Sequence, residues 1–195
     1  MSSATPIDLE SLARRVQVLE DRQAILDCVH RYCRGLDRHD DEILASAFHA
    51  DAIDSHGSFV GPIDEFVRFA NDGHAKTTLS HTHNITSHTV EIDGDTAHAE
   101  SYVIFALRLR DGETVHVGGG RYVDRLEKRD GDWRISRRQL IMDWRFEADG
   151  RAWASRPKQA VGSWGRDDPS YMRPFELPAE ALERLEARRK SEAAG

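Results

Sequence analysis

An α+β fold is predicted, with N-terminal helices packed against one face of a curved, mostly antiparallel sheet. Three observations carry that expectation. Apolar residues recur at helical spacing over residues 8 to 36. From residue 77 the period falls from 3.6 to 2. The alternating segments beyond are divided by Asp93-Gly94, Asp111-Gly112 and Asp130-Gly131, and an Asp-Gly pair between two alternating runs is a strong local hairpin signal.

In the first helical region, Leu9, Leu12, Val16 and Leu19 form one stripe and Leu26, Val29, Cys33 and Leu36 a second. A break near Glu20-Asp21 is expected, with Asp21 as the N-cap of the second segment and the first segment free to pack on a neighbouring subunit. Gly35 and Asp37 mark the end of the helix. A short helix follows over Asp40 to Phe48, its acidic start suited to the helix dipole. A hairpin is expected over Asp51 to Val60, around Gly57-Ser58. Pro62 opens a third helix that carries Ile63, Phe66, Val67 and Phe69 to about residue 72. Four strands follow: Leu79 to Ile92, Thr96 to Arg110, Thr114 to Lys128 and Trp133 to Phe146. Residues 1–147 make one domain. Residues 148–195 are punctuated by Pro157, Pro169, Pro174 and Pro178, end in a charged helix near Ala179 to Arg189, and hold too few apolar residues for a core of their own. They read as an extension wrapping the domain or a neighbouring subunit.

Composition narrows the function classes. A chain of 195 residues suits one domain with room for an internal pocket. A net charge of -7, with the C-terminal arginines interspersed among acids, speaks against nucleic-acid binding. There is no run of eighteen apolar residues to span a membrane, and Met1 to Glu10 lacks the pattern of a signal peptide, so a cytoplasmic protein is expected. Cys28 and Cys33 lie five residues apart on different helix faces, a poor geometry for a disulfide.

Two segments carry candidate chemistry. The first, His30-Arg31-Tyr32-Cys33-Arg34-Gly35-Leu36-Asp37, sets a phenol and a carboxylate at the end of an apolar helix stripe; alone, Asp37 could equally cap the next helix. The second, His81-Thr82-His83-Asn84, puts two imidazoles on one strand face. A metal would need a third and fourth ligand, and no Cys or Glu stands at an obvious spacing. His88, five residues beyond His83, is expected on the opposite face. No metal or cofactor site is therefore predicted. One histidine is expected to work in a pocket and the other, His81, to be structural or at the rim; both could also simply sit at a strand end. A tyrosine and an aspartate beside a histidine can fix its tautomer and complete a proton path. Arg145, in Met142-Asp143-Trp144-Arg145-Phe146, needs a carboxylate partner or an oxygen-rich ligand, Asp143 and Glu147 being the structural choices. Gly118-Gly119-Gly120 is followed by no helix and reads as a bulge or a close backbone approach, not a phosphate loop.

The order of elements, with Arg31-Tyr32-Cys33-Arg34-Gly35-Leu36-Asp37, His83-Asn84-Ile85, Val90 to Ala97 and Asp132-Trp133-Arg134-Ile135, resembles the SnoaL-like branch of the NTF2-like superfamily over about residues 8 to 147. The resemblance implies a cone-shaped α+β barrel with an internal pocket. It is nearest to scytalone dehydratase, lindane dehydrochlorinase and bile acid 7α-dehydratase. By that likeness His83 is the general base, Asp37 its partner, Tyr32 a donor to the leaving oxygen, and Arg145 a stabiliser of developing negative charge. It implies a cofactor-independent lyase of the dehydratase type, acting on a hydrophobic steroid or aromatic compound, in a homo-oligomer with a trimer favoured over a dimer. The same branch also contains diarylpropane lyases that release formaldehyde, isomerases, hydrolases and non-catalytic binders. The second pocket histidine of scytalone dehydratase has no counterpart in Tyr102 to Leu107.

Overall fold

Leu9 to Arg38 form a single helix, α1, with no break at Glu20-Asp21. The computed structural model describes residues 8–154 and 161–193, and in it Asp8 caps α1 by accepting from the backbone N–H of Glu10 and Ser11. Asp21 is not a cap. Its carboxylate accepts from Trp133 Nε1 and from the Lys128 ammonium, each at 2.8 Å, so the sheet satisfies a side chain that would otherwise compete for local backbone. Burial alone would raise its pKa, but the bonds from Lys128 and Trp133 prevail and hold it below the usual carboxylate value.

The second half of α1 enters the core. Ile25, Cys28, Val29, Tyr32 and Leu36 are all at most 2% exposed, each large apolar side chain contributing roughly 1.5–3 kcal/mol by leaving water. Leu9, Leu12, Val16 and Leu19 are exposed, and none of them belongs to the core cluster among the described residues. The helix stops at His39, in the left-handed region at φ 50° and ψ 42°. Asp40 then caps α2 (Asp41–Ser46) by accepting from the Ile43 N–H at 3.1 Å. The two helices cross so closely that a Cβ on Gly35 would lie 2.4 Å from the Leu44 backbone nitrogen, which reserves the position for glycine.

The chain continues through β1 (Phe48–His56), β2 (Phe59–Pro62), α3 (Ile63–Thr77), β3 (Thr78–Asp93), β4 (Thr96–Leu109), β5 (Thr114–Arg129) and β6 (Asp132–Asp149). α3 runs five residues beyond its predicted end, since the face of Phe66, Val67, Ala70 and Asn71 is prolonged one turn by His74. The expected hairpin is β1–β2, and the four expected strands are β3–β6. The six-stranded sheet has the order β2-β1-β6-β5-β4-β3, with β1 parallel to β6 and every other pair antiparallel. It curves around α1 but does not close into a barrel.

One irregularity changes the reading of the histidines. Ile85 pairs with Val103 but Ser87 with Tyr102, so Thr86 is the extra residue of a bulge. The bulge returns His88 to the inner face that His83 occupies, where its Nδ1 meets the Ser101 hydroxyl at 2.9 Å. The expectation that His88 faces away fails for that reason. The three consecutive glycines do mark close approaches: a Cβ on Gly118 would stand 2.4 Å from the Phe105 ring, and the register shifts between Gly119 and Gly120.

Beyond β6 lie α4 (Arg151–Ala154), a 3₁₀ turn over Pro169–Tyr171 and α5 (Ala179–Glu192). The stretch from 161 to 172 straps across the α1–α2 corner. The Gly165 N–H donates to the Arg38 carbonyl at 2.5 Å, the Tyr171 hydroxyl donates to Asp40 Oδ2 at 2.7 Å, and Arg38 pairs with Asp168 at 3.4 Å. α5 buries none of its residues. Among the described residues no helix is long and apolar enough to cross a membrane.

Candidate active site

Asp37 projects from the last turn of α1 onto β3, where it takes two bonds from one residue. His83 Nδ1 lies 2.7 Å from Asp37 Oδ1, and the His83 backbone N–H donates to Oδ2 at 2.9 Å. The double attachment fixes ring and strand together, with the His83 side chain 7% exposed and Asp37 14%. A carboxylate can only accept, so Nδ1 carries a proton, and in the neutral ring the lone pair is on Nε2. Among the described residues Nε2 has no hydrogen-bond partner.

His83 borders a cavity of about 110 Å³ whose other walls are His56, His74, Phe105, Leu107, Tyr122, Leu140 and Met142. The lining is mostly apolar, with three histidines contributed by β1, α3 and β3. Gly118 makes room for the Phe105 ring to lie across β5.

Tyr32 is not among the lining residues. It stands behind Tyr122, edge-on with ring centroids 5.1 Å apart, and its buried hydroxyl has no hydrogen-bond partner. Over both rings lies the Arg138 guanidinium, 4.1 Å from the Tyr32 centroid and 4.3 Å from that of Tyr122. Asp124 grips it with two bonds of 2.7 and 2.6 Å, and neither side chain has any exposure. Burial pushes both phenols well above their ordinary pKa. Tyr32 thus supports the cavity wall, and the phenol on the cavity is that of Tyr122.

Arg145 is exposed at the rim, opposite Gly118 in the β5–β6 register, and does not reach the cavity. Its partner is His116, neither of the two acids expected. His116 Nε2 meets Glu147 Oε1 at 3.1 Å, and Asp143 is taken by Arg121 at 3.2 Å.

His81, buried beside the dyad, donates from Nε2 to the Leu36 carbonyl at 2.8 Å. His39 and His74 gather around it, with ring centroids 5.2 and 4.2 Å away, and Trp164 from the strap stacks on His39 at 3.9 Å. Burial, then the neighbouring imidazoles, push His74 down to about 3. Burial also takes His81 down to about 4, although its bond to Leu36 acts the other way. Both rings are neutral at physiological pH.

The sequence matches the SnoaL-like domain family over residues 17–139. This chain is a SnoaL-like domain protein. The SnoaL-like domain shares its fold with several solved structures. A scytalone dehydratase-like protein of Novosphingobium aromaticivorans is 22% identical with a TM-score of 0.61, over 67% of this chain and 89% of that one. A hexachlorocyclohexane dehydrochlorinase of Novosphingobium barchaimii is 21% identical with a TM-score of 0.62, over 69% and 94%. A protein of unknown function from Mycobacterium tuberculosis is 29% identical with a TM-score of 0.56, over 73% and 78%. No functionally curated protein matches the chain significantly.

Within the SnoaL-like domain the structure joins two of the four residues singled out from sequence, Asp37 and His83. It sets Tyr32 behind the wall and Arg145 at the rim. Three lining residues, His56, His74 and Tyr122, were not singled out. His74 had a legible signal, since it extends the buried face of α3 at i+3 from Asn71 and i+4 from Ala70.

Proposed function

We propose that this protein is a lyase whose His83 removes a proton from a hydrophobic small molecule, initiating an elimination. The observation that carries the reading is the 2.7 Å bond from His83 Nδ1 to Asp37, which leaves Nε2 as the basic atom beside an apolar cavity. Asp37 orients the ring and stabilises the imidazolium that forms. Tyr122, the phenol on the cavity, is the candidate donor to the leaving group, with Tyr32 and Arg138 holding its ring in place. Arg145, paired with His116 at the rim, meets the outer part of the substrate. The proton transfer is carried by these side chains.

The cavity sharpens the substrate class. An apolar void of about 150 Å³ holds a benzene ring. A space of about 110 Å³ is smaller than that, so it bounds the buried part of the substrate at about one small ring, with any remainder passing the rim. That the similar structures include proteins named for dehydration and dehydrochlorination is in keeping with an elimination.

The test is a panel of hydroxylated and halogenated one-ring compounds and their larger analogues, followed by mass spectrometry. Two products from one substrate are expected, and His83→Ala should lower turnover by about 10²–10⁴-fold. Full activity in His83→Ala, or recovery of every compound unchanged, would overturn the proposal.

A further inference from the structure

Beside the dyad, and sharing His74 with the wall of its cavity, three imidazoles from three elements meet: His39 at the end of α1, His74 on α3 and His81 on β3. One ring nitrogen from each lies within 4.8 Å of the other two. We infer that His39, His74 and His81 bind a divalent transition-metal ion of the zinc class. This inference does not rest on the lyase reading.

Several observations converge on it. Each ring has a buried nitrogen with no hydrogen-bond partner: Nε2 of His39, Nδ1 of His74 and Nδ1 of His81. Buried polar atoms are almost always satisfied, so three orphans in one cluster call for a common partner. That partner is not a carboxylate of the cluster, since Asp37 is occupied by His83. The His81 side chain has no exposure, and its Nε2–H is committed to the Leu36 carbonyl, which leaves Nδ1 as a lone pair in a fixed orientation. A backbone carbonyl on the remote nitrogen is the usual way a metal-binding histidine is oriented.

Three imidazoles also match the preference of zinc for nitrogen ligands. Zn–N bonds of about 2.0–2.1 Å in a tetrahedron set the nitrogens about 3.3 Å apart, so binding draws the rings inward by side-chain rotation. Among the described residues no further His, Cys, Asp or Glu joins the group, and the fourth position falls to water. The ion would pin the end of α1, which bears Asp37, to β3, which bears His83, with Trp164 covering one side through its stack on His39.

The test uses the full chain with any histidine tag removed, stripped with a chelator and then titrated with zinc chloride by calorimetry. Cobalt(II) serves as a visible-absorption probe of nitrogen coordination. One equivalent of zinc should bind, and the melting temperature should rise with zinc concentration. Loss of an outer partner of a metal ligand weakens affinity by about 10–100-fold, so removal of a ligand should exceed about 100-fold. His74→Ala is the direct variant. His39→Asn is the second, because asparagine tolerates the left-handed backbone at that position and keeps the fold. His98→Ala, on an exposed strand position, should bind as the parent does. Absence of stoichiometric zinc uptake by the parent would overturn the inference, and so would unchanged affinity in a folded His39→Asn or His74→Ala protein.

Discussion

Replacing Asp37 with asparagine separates charge and proton placement from shape. The side chain keeps its size, but only one of its two positions can still accept. If the amide oxygen keeps the His83 backbone N–H, now at 2.9 Å, the amide NH₂ is left facing Nδ1 across 2.7 Å. Two donors cannot share that contact, so the ring proton must move to Nε2. The opposite amide orientation sets the NH₂ against the strand N–H and orphans a largely buried donor, at about 1–3 kcal/mol. The tautomer switch is the cheaper outcome. Nε2 then carries a proton and cannot take one, and turnover should fall by about 10²–10⁴-fold while the fold persists. Nitrogen-15 NMR of the imidazole reads the tautomer with no substrate present: the parent should be protonated at Nδ1 and the variant at Nε2. Full turnover in the variant, or a parent ring protonated at Nε2, would refute the reasoning.

Two further outcomes follow from the geometry. Asp124→Ala leaves the Arg138 guanidinium buried without its bidentate partner, a change that costs about 3–5 kcal/mol in general. The loss should fall near the lower figure, since buried Asp54 also interacts with Arg138 and has neither oxygen hydrogen-bonded. At about 2–4 °C per kcal/mol for a domain of this size, the melting temperature should drop by roughly 6–12 °C. The double variant Asp124→Leu/Arg138→Met should recover much of that, and a single-variant loss below about 1 kcal/mol in urea melts would contradict the account. The strap should respond to acid. Burial favours the protonated form of Asp168, but the Ser170 and Ser163 bonds and the Arg38 guanidinium bring its pKa down to about 2. A depressed carboxylate stabilises the fold above its unfolded value near 3.8 and loses that contribution as pH falls toward 2. Trp164 fluorescence should therefore change between pH 4 and 2 in the parent, and a parent trace identical to that of Asp168→Ala would dissociate the strap from this carboxylate.

The sheet was legible because its cues are local. Asp-Gly turns and a period of two locate β3–β6 without knowledge of what the strands touch. The Asp37–His83 pair was legible through family resemblance, since a helix end and a strand 46 residues later carry no local sign of contact. What sequence missed depended on partners distant in the chain. Asp21 reads as a helix cap until Trp133 and Lys128 are brought to it, and Arg145 reads as a pocket cation until His116 is found beside it. The histidine cluster escaped for a related reason. Its members come from a cap, a helix and a strand, and strand spacing alone pairs His81 with His83. His88 was misplaced because one extra residue, Thr86, reverses the parity of everything after it.

The parallel contact of β1 with β6 also bears on the order in which the chain takes shape. Phe48 pairs with Ile135, and every strand between those positions can find a partner sooner than β1 can find β6. Hairpins β3–β4 and β4–β5 can assemble as they leave the ribosome, but the β1–β2 arm and the inner stripe of α1 must wait for the final strand. Trp133 and Ile135, buried members of the same core, arrive with that same strand. The seam thus makes synthesis of β6 the step at which a collection of hairpins becomes one cooperative molecule, and until then the apolar side of α1 lacks its final cover.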